Sequence, residues 1–260
     1  MDRFYFKNKN GVITLHSKVL DEAGFEKHCF TTRLGGVSEG HLAATNLSFS
    51  RECHGNVTEN YRRVTDAAGI DMSAMALTCQ EHTDIVRKIG SEYKNCGFYI
   101  SDTAVDGYVT AERGIALVVF VADCVPVLIA DPKKQVVAAV HSGWRGTKAK
   151  ITQNAVKMMV REYGSDPQDI VAAIGPCIGG CCYEVGRDVY DGFGVPEYFT
   201  PKADGKFMLD LVKANTAVLN EIGVQRVESA NECTMCKHEL YYSHRYTKGK
   251  RGNMAAMIQI

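Results

Sequence analysis

The chain has 260 residues, 45% of them hydrophobic and 23% charged, and its 30 basic and 30 acidic side chains cancel to a formal net charge of zero. That length buries a substantial core and is most simply one catalytic domain spanning residues 1–260. Neutrality removes any bulk attraction for nucleic acid or an anionic membrane. No apolar run approaches the ~20 residues that span a bilayer. The start Met1-Asp-Arg-Phe-Tyr-Phe6 also lacks the apolar stretch of a secretion signal. The expectation is a soluble, cytoplasmic protein whose ten cysteines are mostly reduced thiols packed as small hydrophobes.

Short apolar runs alternate with amphipathic stretches, which favours an α/β (α+β-like) fold, a single domain with a mixed β-sheet flanked by helices. Residues 4–6 and 12–15 read as a hairpin around Asn8-Lys-Asn-Gly11. A third strand over 28–32 leads into a Gly-rich loop containing Arg33. A helix is predicted over 58–68, with Thr58 as its cap and Gly69 as its stop. A short strand over 76–80 follows, with His82 just beyond it.

Residues 107–110 and 115–121 are strands, the second too continuously apolar for an edge position. Residues 125–130 and 136–140 form the next pair, joined by the turn Asp131-Pro-Lys-Lys134. A helix over 147–162 offers Ala149, Ile151, Val156, Met159 and Val160 as its buried face. Residues 171–174 form a strand running into Gly175-Pro-Cys-Ile-Gly-Gly180. A helix over 209–222 closes at Gly223, and 224–229 and 253–260 are the last strands.

Chemistry concentrates between Val121 and Gly146. Cys124 and His141 are 17 positions apart with two strands between them, so a hairpin can bring both to one end of a sheet. His82, just after another strand, is a candidate third ligand. Two histidines and one cysteine match a three-ligand zinc site that keeps its fourth position open. The plain alternative is a packed thiol and a strand-end imidazole, and no short C-x-x-C or H-x-x-x-H pattern ties the three together. Trp144 and Arg145 follow in Ser142-Gly-Trp-Arg-Gly146, where the glycines permit close ligand approach and Arg145 opens a helix able to receive an anion such as phosphate.

In chain order, Thr31-Thr-Arg-Leu-Gly-Gly-Val-Ser38, Asn46-Leu-Ser48, Gln80-Glu-His82, Ala122-Asp-Cys-Val-Pro126, His141-Ser-Gly-Trp-Arg-Gly146, Gly175-Pro-Cys-Ile178 and Tyr242-Ser-His-Arg245 resemble the motifs of the YfiH-type family. That family carries the older label polyphenol oxidase or laccase-domain protein and is now regarded as purine nucleoside phosphorylase-like. The resemblance covers nearly the whole chain. It implies zinc ligands at His82, Cys124 and His141. It also implies phosphorolysis of adenosine and inosine to base and ribose 1-phosphate, accompanied by adenosine deamination and methylthioadenosine cleavage. Zinc lowers the pKa of a coordinated water toward ~7, which suits attack on C6 of adenine.

Arg33 and Arg145 are the expected phosphate clamps and Asn46 a ribose or phosphate partner, because guanidinium forks match phosphate oxygens. His82, Cys124, His141 and Arg145 are the residues expected to carry catalysis. Asp123 reads more readily as an acceptor for turn amides than as a general acid or base. Three departures stand out: Gln80-Glu-His-Thr83 lacks the family's glycine after the ligand, Cys177 stands where serine is common, and His244 where an aromatic is usual.

Three rivals stand beside this reading. A copper-dependent phenol oxidoreductase would use the same ligands, but a multicopper cluster needs His-x-His pairs, and the eight histidines form none. A metal-free hydrolase would use Cys124 as nucleophile and His141 as its base, while a non-enzymatic nucleoside-binding module would need no open coordination site. Cys181-Cys182 and Cys233-x-x-Cys236 are candidate extra ligands or redox pairs on a weak pattern. Oligomeric state and strand order are not legible.

Overall fold

The computed structural model describes residues 3–260, which form a mixed α/β fold with helices covering its sheets. The first hairpin pairs Phe4–Lys9 with Val12–Ser17 across a two-residue turn in which Asn10 and Gly11 both take positive φ, 55° and 83°. That geometry matches the twist of paired strands and is favoured by Asn-Gly.

The strands form two large sheets rather than the single sheet expected. In the first, Phe4–Lys9, Val12–Ser17, His28–Thr31, Met254–Gln259 and Ala116–Val121 run antiparallel in that order, and Ala74–Leu77 and Gly97–Ile100 extend it in parallel. In the second, Arg226–Ser229, Val171–Ile174, Val125–Asp131, Val136–Ser142, Gly107–Thr110 and Val86–Lys88 follow one another. A third sheet of Glu184–Val185, Phe207–Leu209 and Phe199–Pro201 is small.

Side-chain alternation explains the stacking. Along Val136–Ser142, Val137 and Ala139 face a core shared with Leu117, Val119, Ala256 and Ile258 of the first sheet. Val136, Ala138 and Val140 face the opposite way, toward Ile151, Ala155 and Met159 of helix Ile151–Tyr163 and Ala214 and Leu219 of helix Leu211–Glu221. Both faces of this strand are buried, which is why it reads as a continuous apolar run. Helix His54–Ala68 covers the outer face of the first sheet through Val57, Tyr61 and Val64. The layers are therefore helix, sheet, sheet, helices.

Several boundaries differ from expectation. Helix His54–Ala68 begins four residues before 58, so Thr58 lies inside it and Cys53 precedes it, while Gly69 stops it at φ 69° as predicted. The helix expected over 147–162 is two, Trp144–Lys148 and Ile151–Tyr163, divided at Lys150, whose φ of 58° is left-handed. Ala149 and Val160 are accordingly exposed rather than buried. The strand expected over 76–80 is Ala74–Leu77, which leaves residues 78–85 as the loop that carries His82. Helix Leu211–Glu221 is capped by the Asp210 carboxylate, which accepts from the Lys213 amide at 2.9 Å. No helix among the described residues is long and apolar enough to cross a membrane.

Candidate metal centre

Cys124 and His141 meet because their strands are antiparallel neighbours. Pro126 pairs with His141 and Val125 with Ser142, so Cys124, one residue before its strand, lies at the same sheet end as His141. Alternation sends Ser142 toward the helices, where its hydroxyl bonds Thr147 and Asn215, and leaves His141 on the opposite face. His82 arrives on the 78–85 loop with φ 60°. Its Nε2 is 3.7 Å from Cys124 Sγ, its ring centroid is 5.0 Å from that of His141, and the three ligand atoms lie within 4.8 Å of one another.

The residue that sequence reasoning missed is Asp106, fully buried and one position before strand Gly107–Thr110. Gly107 pairs with Val140, so Asp106 stands opposite His141, and its carbonyl accepts the His141 amide at 2.7 Å. Its carboxylate Oδ1 accepts His141 Nδ1 at 2.7 Å and the His82 amide at 3.1 Å. Oδ2 accepts the amides of Glu81 and Thr83 at 3.2 and 2.8 Å and the Thr83 hydroxyl at 2.7 Å. One carboxylate thus folds the loop that presents His82 and orients the His141 ring through Nδ1, which leaves Nε2 as the nitrogen that could meet a metal. Metal-ligating histidines are commonly oriented this way. Gln80 ties the same loop to the first sheet, donating to the Phe120 carbonyl at 2.8 Å and accepting the Phe120 amide at 2.6 Å.

Electrostatics reinforce the donor set. Burial would push the Cys124 thiol up, but the imidazoles of His141 and His82 outweigh it and hold it at about 6. Burial would lower His141, but the Cys124 thiolate and the Asp106 carboxylate raise it to about 9. Burial likewise opposes ionisation of Asp106, yet its bonds to His141 and Thr83 keep it below the usual carboxylate range. Zinc binds thiolates and neutral imidazoles, so the Cys124 thiolate suits it as it stands, whereas His141, protonated near neutral pH beside the thiolate, would release its Nε2 proton as the ion binds. Gly143 has no room for a side chain: a Cβ there would lie 2.8 Å from His82 Cδ2 and 3.2 Å from Cys124 Sγ.

The three donors line a cavity of about 650 Å³ between the ends of the two large sheets. Phe49, Phe120, Trp144 and Tyr183 supply aromatic walls. The cationic side is Arg145, whose guanidinium lies 4.4 Å from the Trp144 ring centre, with Arg245 and Arg251; the His244 imidazole beside them is held below its ordinary value by burial and by Arg251. Arg251 was not singled out by sequence. Its Nε is buried without a hydrogen-bond partner, and burial together with neighbouring Arg51 lowers it to about 10.

Arg33 and Asn46 do not line the cavity. Arg33 spends its fork on backbone carbonyls, Nε and Nη2 donating to Ala43 and Nη1 to His238, and it stacks on Tyr242. Asn46 is buried, bonding Ser48, Glu52 and the Asn253 amide. Asp123 accepts the Thr234 hydroxyl and the Arg245 amide, both at 2.6 Å, so both of its oxygens serve as acceptors in holding turns. Cys177 is buried and its thiol is pushed well up by that burial, so it is not an exposed reactive group. His244 does line the cavity.

A family model described as multi-copper polyphenol oxidoreductase laccase matches residues 27–260. The chain belongs to this YfiH-type family. It is 38% identical over 234 residues to a purine nucleoside phosphorylase of Deinococcus radiodurans, covering 89% of this chain and 88% of that protein. It is 33% identical over 244 residues to the adenosine deaminase RL5 of an unknown prokaryotic organism, covering 87% and 93%. The crystal structure of YlmD from Geobacillus stearothermophilus superposes with a TM-score of 0.88 at 28% identity, covering 100% of this chain and 99% of that one.

Proposed function

We propose that this chain is a zinc-dependent purine nucleoside phosphorylase that also deaminates adenosine and cleaves methylthioadenosine, with residues 1–260 acting as one catalytic domain. The observation that carries the reading is the convergence of His82, Cys124 and His141 in a cavity with aromatic walls and an arginine-rich side. The cavity volume suits a nucleoside-sized ligand. The names of the relatives, purine nucleoside phosphorylase and adenosine deaminase, agree with it.

His82, Cys124 and His141 hold the zinc, leaving a side open to substrate. Bound there, zinc supplies Lewis-acid polarisation and activates water at neutral pH. Phe49, Phe120, Trp144 and Tyr183 offer ring faces to the purine and exclude water. In phosphorolysis the bond from purine nitrogen to ribose C1′ breaks as a phosphate oxygen bonds C1′. The phosphate must therefore be held and its charge neutralised. Arg251 and Arg145 take that role in place of Arg33 and Asn46, because they line the cavity and Arg251 Nε is unpaired, and the His244 imidazole adds a hydrogen-bonding group without charge. Asp106 positions His141 and the His82 loop and touches no substrate.

A second reading has one specific observation behind it. Asp106, His141 and Cys124 stand in the order of an acid, base and nucleophile triad, with the thiol at about 6. The third donor, His82, favours metal, and a copper oxidase would need a further imidazole cluster to reduce oxygen, which is not found among the described residues. The test is incubation with adenosine and inosine, with and without phosphate, resolved by chromatography. Base released only with phosphate supports phosphorolysis, and inosine formed from adenosine supports deamination. Neither product removes the reading.

A further inference from the structure

Cys181, Cys182, Cys233 and Cys236 make a second convergence that contributes nothing to the lining of the cavity. Their sulfurs lie within 4.8 Å of one another, with separations of 3.3 Å for Cys182 to Cys236 and 3.7 Å both for Cys181 to Cys236 and for Cys181 to Cys182. A tetrahedral ion with zinc–sulfur bonds of about 2.3 Å has sulfur–sulfur edges of about 3.8 Å. A disulfide needs about 2.05 Å, and an iron–sulfur cluster, standing between its thiolates, spreads them wider than this. The spacing is that of four thiolates around one ion.

The backbone is arranged around the same point. Two segments far apart in sequence are laced together: the Cys177 amide donates to the Glu232 carbonyl at 3.2 Å, and the Thr234 amide to the Cys177 carbonyl at 2.9 Å. The Gly179 amide donates to Cys233 Sγ at 3.3 Å, a contact that stabilises a thiolate ligand. A Cβ at Gly179 would lie 3.2 Å from Cys181 Sγ and 3.3 Å from Cys233 Cβ, so glycine leaves the sulfurs their room.

We propose that these four cysteines bind a second, structural zinc ion with closed tetrathiolate coordination, stapling the 177–183 loop to the 231–243 segment. Four thiols release their protons to solvent as four zinc–sulfur bonds form, with no change of oxidation state. The staple lies behind one wall of the cavity. Tyr183 follows Cys182 directly, Thr234 between the cysteines bonds Asp123, and Arg245 Nη1 donates to the Glu184 carbonyl at 2.7 Å. The site does not rest on the nucleoside reading.

Metal analysis and zinc-edge X-ray absorption on the full chain test it. The expected result is a zinc ion with four-sulfur coordination that persists in Cys124→Ala, is lost in Cys236→Ser, and is unaffected in Cys53→Ser, a control at an exposed cysteine outside both clusters. Should Cys236→Ser fail to fold, mercurial titration of the wild-type protein replaces it and should release this zinc as the four thiols react. The proposal is overturned by the absence of any four-sulfur zinc in Cys124→Ala, by iron in its place, by metal content unchanged in folded Cys236→Ser, or by a disulfide among the four in non-reduced peptide maps. A failure of the nucleoside reading leaves the four-sulfur zinc in place, so the two claims fail separately.

Discussion

Replacing Asp106 with asparagine removes one carboxylate oxygen from a point where five donors converge, and the cost follows from geometry. The least damaging arrangement keeps the amide oxygen on His141 Nδ1 and the His82 amide, and turns the new NH2 toward the Oδ2 partners. The Thr83 hydroxyl can then rotate and accept, but the amides of Glu81 and Thr83 each face a donor. A donor left unsatisfied costs about 1–3 kcal/mol. Glu81 lies at the exposed rim of the loop, where water offers partial relief, so the lower end applies, about 2 kcal/mol in total. For a chain of this size that is a fall in Tm of roughly 4–8 °C.

Metal affinity falls separately, because a neutral partner no longer holds His141 as a basic, oriented ligand; about 10- to 100-fold is expected. Differential scanning calorimetry reads the first effect and zinc competition against a chromophoric chelator the second. Wild-type zinc affinity in folded Asp106→Asn would show that the carboxylate does not position the ligands, and the description of the centre would have to change.

Gly143→Ala places a Cβ 2.8 Å from His82 and should abolish stoichiometric metal binding while far-ultraviolet circular dichroism stays that of the wild type, and retained metal would contradict the close packing described. Arg251→Met should raise the phosphate KM by about tenfold or more, near 1.4 kcal/mol, while adenosine deamination, which needs no phosphate, stays within about twofold; steady-state kinetics on the two substrates separates these outcomes. The buried His16 imidazole, its Nδ1 without a partner, is held at about 3 by burial and by neighbouring His28. An unfolded chain takes up that proton near 6.5, so stability is complete above 6.5 and is lost as pH falls from there toward 3. The loss is about 1.4 kcal/mol per pH unit, or roughly 2 kcal/mol by pH 5. Urea unfolding across that range should therefore be less acid-sensitive in His16→Phe.

Where local chemistry decides structure, the chain is readable. The Asn10-Gly11 turn, the stop at Gly69 and the doubly buried strand Val136–Ser142 follow from backbone preference and apolar runs. Cys124 and His141 are legible because each stands at a strand end, whereas His82 is legible through its Gln80-Glu-His82 motif, its strand having ended at Leu77. What depends on pairing across long separations was hidden. Asp106 is one acid among many until Gly107 pairs with Val140 and sets it against His141. Two sheets rather than one follow from which strands become neighbours, which no single segment encodes.

Arg33 could not be placed from sequence, because an arginine in a Gly-rich loop looks the same whether its fork meets phosphate or the carbonyls of Ala43 and His238. The break at Lys150 carries no glycine or proline to announce it. The four clustered cysteines were visible only as two weak pairs, since the contacts between Cys177 and the Glu232–Thr234 stretch that bring them together join segments more than fifty residues apart.

The most direct measurement is reconstitution. Protein stripped by a chelator is titrated with zinc, and in parallel with copper, while phosphate-dependent hypoxanthine release from inosine is followed in the wild type and in Cys124→Ala. Activity should return with zinc in the wild type, should not return with copper, and should be absent from Cys124→Ala at every metal concentration. Full phosphorolysis by the stripped protein, or by Cys124→Ala, would contradict a zinc centre at His82, Cys124 and His141.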